Sequence, residues 1–235
     1  NLGGYEERTG SMLKRMRASD TGNLQTYLES RTEEIDSEII VRVSAILQDV
    51  KTRRDDAVRE YTQQFDGILL DSMRVEPSDI EAAAAKADPF FVESMKKAKA
   101  NIEYYHNAQK QNGYLLQKEL GIYLGQRVLP LDSVGIYVPG GRAQYPSSVL
   151  MNAIPARIAG VKRIVMLTPP AKDGSLHPNI AAAAQIAGVD EIYKVGGAQG
   201  IAALAYGTQS IAPVDKIVGP GNVYVAAAKK LVFGK

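Results

Sequence analysis

The sequence predicts an α/β fold: a parallel sheet with flanking helices, preceded by a mostly helical N-terminal region. Three observations predict it. Short apolar runs alternate with helical segments from about residue 134 onward, each run ends in glycines or prolines, and residues 1–112 hold few turn-forming glycines. Alternation at this spacing builds βαβ units, whose strands lie parallel and covered on both faces.

The elements follow in order. In residues 33–50, Ile35, Ile39, Ile40, Val43, Ala45, Ile46 and Val50 form a helical stripe. A second helix is expected over 55–65, stopped near Gly67. Pro77-Ser78-Asp79-Ile80 reads as a helix start with Ser78 as N-cap. Pro89 opens another helix, reaching about residue 105. These amphipathic helices read as a scaffold. From Gly113 the pattern changes. Residues 114–118 and 122–130 read as a hairpin, turning near Glu119-Leu120-Gly121. Strands are then expected at 134–138, 163–168, 191–195 and 216–218. Helices are expected at 147–160, 179–187, 199–206 and 222–233, with right-handed crossovers. The domain division this suggests is 1–112 for the helical region and 113–235 for the α/β part.

Composition bounds the function. With 235 residues, 45% apolar and 23% charged, the chain is ordinary globular material with enough length for a core. A net charge of +2 makes no case for nucleic acid as a partner. Residues 131–235 hold ten Lys and Arg against five Asp and Glu. That mild excess suits an anionic small molecule. Cysteine is absent, which excludes disulfides, thiolate catalysis and cysteine-ligated metal. No run of about 18 apolar residues exists to span a membrane. The first residues lack the apolar core of a secretory signal.

The loops carry the functional argument. They are Pro139-Gly140-Gly141, Thr168-Pro169-Pro170, Gly196 through Gly200, and Gly219-Pro220-Gly221-Asn222. In a parallel sheet all strand C-termini share one edge, where open α/β folds bind ligands. The helices that follow present unpaired N–H groups there, which favour phosphate oxygens. The loops do not spell G-x-G-x-x-G, so pattern alone does not make the ligand a dinucleotide. Asn222 reads either as an N-cap or as a ligand contact. Gln199 is a poor N-cap, which favours the ligand. Tyr137 points to the face opposite Ile136 and Val138, where a core tyrosine is the plain reading. Arg142 and Tyr145 can reach a phosphate or a ring, and Arg142 reads equally as solvated. His106 at a helix end and His177 before Pro178 read as structural, with no second histidine at metal-ligand spacing. Asp190-Glu191 starts a strand on the wrong edge for acid/base work. Ser147-Ser148 has no visible base and reads as a helix cap.

The run VGIYVPGGRAQYPSSVLMNAIPARIAGVKRIVMLTPP (134–170), followed by VGGAQGIAALAYGT and KIVGPGNVYVAAAKKLVFG, strongly resembles histidinol dehydrogenase. The likeness continues upstream through LQDVKTRRDDAVREYTQQFDG (47–67). The resemblance implies oxidation of L-histidinol through the aldehyde to L-histidine, with two NAD molecules reduced in succession. It implies Rossmann-like α/β domains akin to those of aldehyde dehydrogenases, an intertwined homodimer, and a cytoplasmic enzyme of histidine biosynthesis. It implies NAD contacts at Tyr137, Gln199 and Asn222. Family members are about twice this length. Their zinc ligands and histidine–glutamate acid/base pair match positions expected beyond Lys235, so no catalytic or metal-binding residue is expected in this chain. The chain reads as an N-terminal half, inactive alone. The alternatives are a non-catalytic nucleotide-binding module, or a structural piece that self-associates through an open sheet edge. One departure stands out: Arg54 occupies a place where the family usually has glycine, which can alter the helix ending there.

Overall fold

A computed structural model describes residues 19, 21–29, 35–140 and 144–235. The chain falls into two units, residues 1–36 and residues 37–235. The described part of the first contains helix α1 (Thr21–Glu29).

Strands β3 (Ser133–Tyr137), β4 (Arg163–Leu167), β5 (Glu191–Tyr193) and β6 (Lys216–Val218) form a parallel sheet in the order β5-β4-β3-β6. The sequence expectation of an α/β architecture with a parallel sheet and flanking helices therefore holds. Register runs from Ser133 opposite Arg163 to Tyr137 opposite Leu167, with Val134 opposite Lys216 on the other side. Arg74 adds an isolated antiparallel bridge to Tyr193 at the outer edge of β5.

Alternation along the strands separates two faces. Val134 and Ile136 of β3, with Ile164 and Met166 of β4, bury against Val149, Leu150 and Ile154 of α6 (Pro146–Ala159) and Ile180 of α7 (Pro178–Ala187). Behind those helices pack α4 (Pro77–Ala84) and α5 (Pro89–Asn107). The opposite face takes α8 (Gly197–Tyr206), whose Leu204 lies against Gly135. Helices α9 (Val223–Leu231), α2 (Ser37–Arg53) and α3 (Asp55–Asp66) pack with α8. Ile136, Ile164, Met166 and Leu167 are all fully buried. Burying each contributes about 1.5–3 kcal/mol.

Several element ends differ from expectation. Helix α4 starts two residues earlier, with Glu76 as N-cap and Pro77 in the first turn. Ser78 is therefore inside the helix: proline's fixed φ suits the first helical position and draws the start upstream. Likewise Tyr145 precedes α6 and Pro146 opens it, so Ser147 and Ser148 are not caps. The hairpin is shorter than expected: β1 (Tyr114–Glu119) pairs antiparallel with β2 (Ile122–Gln126), and residues 127–130 are not strand.

Arg54 sits between α2 and α3 at φ 58°, ψ −126°. It is the only non-glycine residue with positive φ among the described residues. Such a conformation costs about 1–3 kcal/mol for a residue with a Cβ. Its guanidinium donates to the carbonyls of Tyr206 (2.9 Å) and Gly207 (2.6 Å), at the C-terminal end of α8. That charge-assisted cap offsets the strain. Nearby, Ser210 Oγ donates to Asp55 Oδ2 at 2.5 Å. The start of α3 is thus tied just beyond the end of α8.

Candidate functional site

The strand order sets where a ligand crevice opens. From β3 the chain moves outward through β4 to β5, then returns to place β6 on the other side of β3. The order reverses between β3 and β6. Beyond the C-terminal ends of those strands the two following loops diverge and leave a crevice.

The loops meet there. The hydroxyl of Tyr137, the last residue of β3, accepts from the N–H of Gly197 at 3.1 Å, joining the β3 corner to the start of α8. Gly219, after β6, backs onto Tyr137: a Cβ on Gly219 would lie 2.2 Å from the Tyr137 carbonyl oxygen. Its φ is +107°, a conformation open to glycine at little cost. Pro169, after β4, is flanked by Gly140 and Gly196, whose added Cβ atoms would fall 3.2 and 2.8 Å from its ring. The corners of all four strands are therefore on one rim.

Each anticipated side chain can now be placed. Tyr137 is 4% exposed and shares the α8-facing side of β3 with Gly135. Burial pushes its phenol up, the Gly197 N–H opposes that, and the charge of Asp66 adds to the rise. The phenol stays protonated at neutral pH and keeps an O–H to donate. Gln199 is fully buried in the first turn of α8. Neither its Oε1 nor its Nε2 has a partner among the described residues. Its Oε1 lies 2.3 Å from where a Cβ on Gly197 would stand, so the amide tucks beneath that turn. Leaving a buried polar group unpaired costs about 1–3 kcal/mol. Asn222 is exposed and is the N-cap of α9: its Oδ1 accepts from the Val225 N–H at 3.0 Å. The cap leaves its Nδ2 donor without a partner among the described residues. Tyr137 and Gln199 come together at the α8 turn, and Asn222 follows Gly219 on the same rim.

The other candidates have structural roles or lie outside the described residues. Arg142 and Gly141 lie outside the described residues. Tyr145 is half-exposed and makes no side-chain cap bond. His177 caps α7, its Nδ1 accepting from Asn179 N–H at 3.2 Å, and His106 Nδ1 lies 2.7 Å from Gln109 Oε1. Asp190 pairs with Arg157, and Glu191 with Arg163 at 2.6 Å, at the opposite edge of the sheet. The Arg163 guanidinium holds Glu191 below the usual carboxylate range. Beside it, burial and the Glu191 carboxylate push the Tyr193 phenol up to about 12. These groups lock strands together. Among the described residues no cluster of three or more His, Asp or Glu can hold a metal ion. The described residues do not fit the zinc that the resemblance implies.

Two further residues escaped the sequence reading. Lys229 of α9 reaches back to donate to the Gly219 carbonyl at 2.9 Å, bracing that corner. Asp66, the last residue of α3, has a buried Oδ2 without a partner among the described residues. Burial pushes its carboxyl up. The only local signal was an acid just before a turn glycine, which is common and unspecific.

Comparison with known proteins gives a consistent answer. A family model described as histidinol dehydrogenase matches residues 29–235. The chain is 55% identical over 226 residues to the histidinol dehydrogenase of Listeria innocua serovar 6a, covering 96% of this chain and 50% of that protein. It is 47% identical over 224 residues to that of Methanothermobacter thermautotrophicus, covering 95% and 52%. The crystal structure of histidinol dehydrogenase from Elizabethkingia anophelis superposes with a TM-score of 0.80 at 38% identity, covering 86% of this chain and 46% of that one. The chain spans about half the length of the curated relatives it matches. With the family model matching residues 29–235 and a solved member superposing on most of the fold, the chain belongs to the histidinol dehydrogenase family.

Proposed function

We propose that this chain is the NAD-binding portion of a zinc-requiring histidinol dehydrogenase that carries L-histidinol through the aldehyde to L-histidine in histidine biosynthesis. The observation that carries the cofactor reading is the Gln199 amide, buried with both polar atoms unpaired beside Tyr137 on a glycine-lined rim. An amide both donates and accepts, as does the carboxamide or adenine edge of a dinucleotide. Engagement requires Gln199 to rotate out from beneath Gly197. Tyr137 donates its phenolic proton, and Asn222 offers Nδ2 while its Oδ1 holds the helix start. The N-termini of α8 and α9 favour the pyrophosphate. When bound, NAD supplies the hydride acceptor; this chain's residues hold and orient it. Residues 1–112 would form part of a domain completed by the remainder of a full-length enzyme, and 113–235 the cofactor domain. The parent enzyme would act in the cytoplasm as a homodimer.

The chain alone is expected to lack turnover, since the acid/base pair and zinc ligands implied by the family match none of its positions. With L-histidinol, NAD and zinc added to the purified chain, NADH absorbance should stay at background; a rise above it would overturn this. NAD should still bind, and Gln199→Ala should weaken binding about tenfold. Equal binding by both proteins would remove Gln199 from the site.

A second reading, self-association, draws on a different observation. Leu115, Leu116, Leu120, Ile122, Tyr123 and Leu124 of the hairpin are exposed, and β6 is a sheet edge. Sedimentation across a concentration series tests it: a monomer at all concentrations would reject this reading.

A further inference from the structure

We propose that Asp66 is a cofactor-positioning residue whose carboxylate accepts a hydrogen bond from a ribose hydroxyl of the dinucleotide. The inference rests on the NAD reading above and deepens it.

Two independent features of the fold bring Asp66 to the rim. The first is helix direction. Asp55 begins α3 and is held by Ser210, just beyond the C-terminal end of α8. Helices α3 and α8 pack on each other, so the far end of α3 lies toward the start of α8, where Gly197 and Gln199 sit. The second is strand direction. Val75 N–H donates to the Ile192 carbonyl, and Lys194 N–H donates to the Met73 carbonyl. Residues 73–75 thus run antiparallel to β5. The chain just before Met73 therefore comes from the C-terminal edge of the sheet. Consistent with this, Ile68 and Leu70 pack against Gly174, in the loop after β4.

Placed there, the carboxylate is in an unfavourable setting. Its Oδ2 is buried without a partner among the described residues. It closes a helix, where the dipole disfavours negative charge. Burial alone pushes the carboxyl up, and its charge reaches the Tyr137 phenol. A residue that costs stability in this way is explained by a ligand that repays it with hydrogen bonds.

Chemistry narrows the ligand group. An ionised carboxylate only accepts. Phosphates have nothing to donate to it and are repelled. The amide-bearing portions of the cofactor are matched by Gln199. The ribose hydroxyls remain: they are neutral donors, and a carboxylate takes them in the general pattern of dinucleotide sites.

The test measures NAD binding to the full chain by calorimetry for wild type, Asp66→Asn, Asp66→Ala and Gln199→Ala, with a thermal melt of each. AMP and nicotinamide mononucleotide, each carrying one ribose, are titrated separately by ligand-observed NMR. Both Asp66 variants should bind NAD about tenfold more weakly. Asp66→Asn should melt at or above the wild-type temperature at pH 7, because an unpartnered, half-buried charge is removed. It should lose affinity for one mononucleotide and not the other. Wild-type NAD affinity in Asp66→Asn, with weakened binding in Gln199→Ala, would overturn the inference and leave the NAD reading standing. A lowered melting temperature with equal losses toward both mononucleotides would also overturn it, marking a structural residue. A wild-type chain that binds no NAD would overturn both.

Discussion

The four-stranded sheet and the two-stranded hairpin use the same backbone conformation to opposite ends. Every residue of β3 is buried, and every residue of β1 and β2 is exposed. Both carry apolar side chains, Val134 and Ile136 in one, Leu115, Leu116 and Leu124 in the other. The sheet is covered on two faces by helices from its own unit. A two-stranded hairpin has no such cover and is marginal by itself. The contrast teaches that strand propensity is local, while its thermodynamic return depends on what packs against it. It also marks the hairpin as surface suited to burial by a partner.

Removing side chains should break the comparison most visibly. Ile136→Ala, in the fully buried β3, should cost about 3–4 kcal/mol in a urea melt, from lost transfer energy and the cavity left behind. Leu116→Ala, 59% exposed, should cost within about 0.5 kcal/mol. Similar costs at both positions would mean that the hairpin is buried in solution, by association.

Next in size is a matched pair of glycines. Gly219 at the rim and Gly121 in the hairpin turn both have positive φ, at 107° and 83°. Alanine at Gly121 meets nothing within 4 Å, so only backbone strain opposes it, about 1 kcal/mol. Alanine at Gly219 collides with the Tyr137 backbone and should cost about 3 kcal/mol. NAD binding should be lost with it and be unaffected by the Gly121 change.

The smallest expected effect sharpens how the sheet's other edge is held. Glu191→Gln should cost about 1–2 kcal/mol at pH 7 by weakening its bonds to Arg163 and Tyr193. The folded carboxyl sits below its unfolded value. Its stabilisation is therefore complete above the ordinary carboxylate range and fades as pH falls through the folded value. The gap between wild type and variant should narrow as melts are taken to progressively lower pH. A constant gap would mean that packing, not charge, holds this corner.

Much of the fold was legible because it is written in local patterns. The runs at 163–168 and 216–218 gave strands in place, and Gly67 ended α3 as read. Helix starts were less legible. Serines at 78 and 147 looked like caps, but an adjacent proline settled the first turn. The rim as a gathering of loops was legible from parallel strands alone. The state of its side chains was not: nothing local distinguishes a Gln199 exposed to ligand from one folded under Gly197. Arg54 shows the same limit. Its strained φ is maintained by carbonyls some 150 positions along the chain.

The sequence by itself determined which segments became strands, helices and turns, since periodicity, proline and glycine act through dihedral angles within a few residues. Tertiary structure alone decided the order β5-β4-β3-β6, the contact of Gly219 with Tyr137, and the burial of the Gln199 amide beneath Gly197. Those depend on which distant surfaces bury each other, a property of the assembled core that no short window of sequence contains.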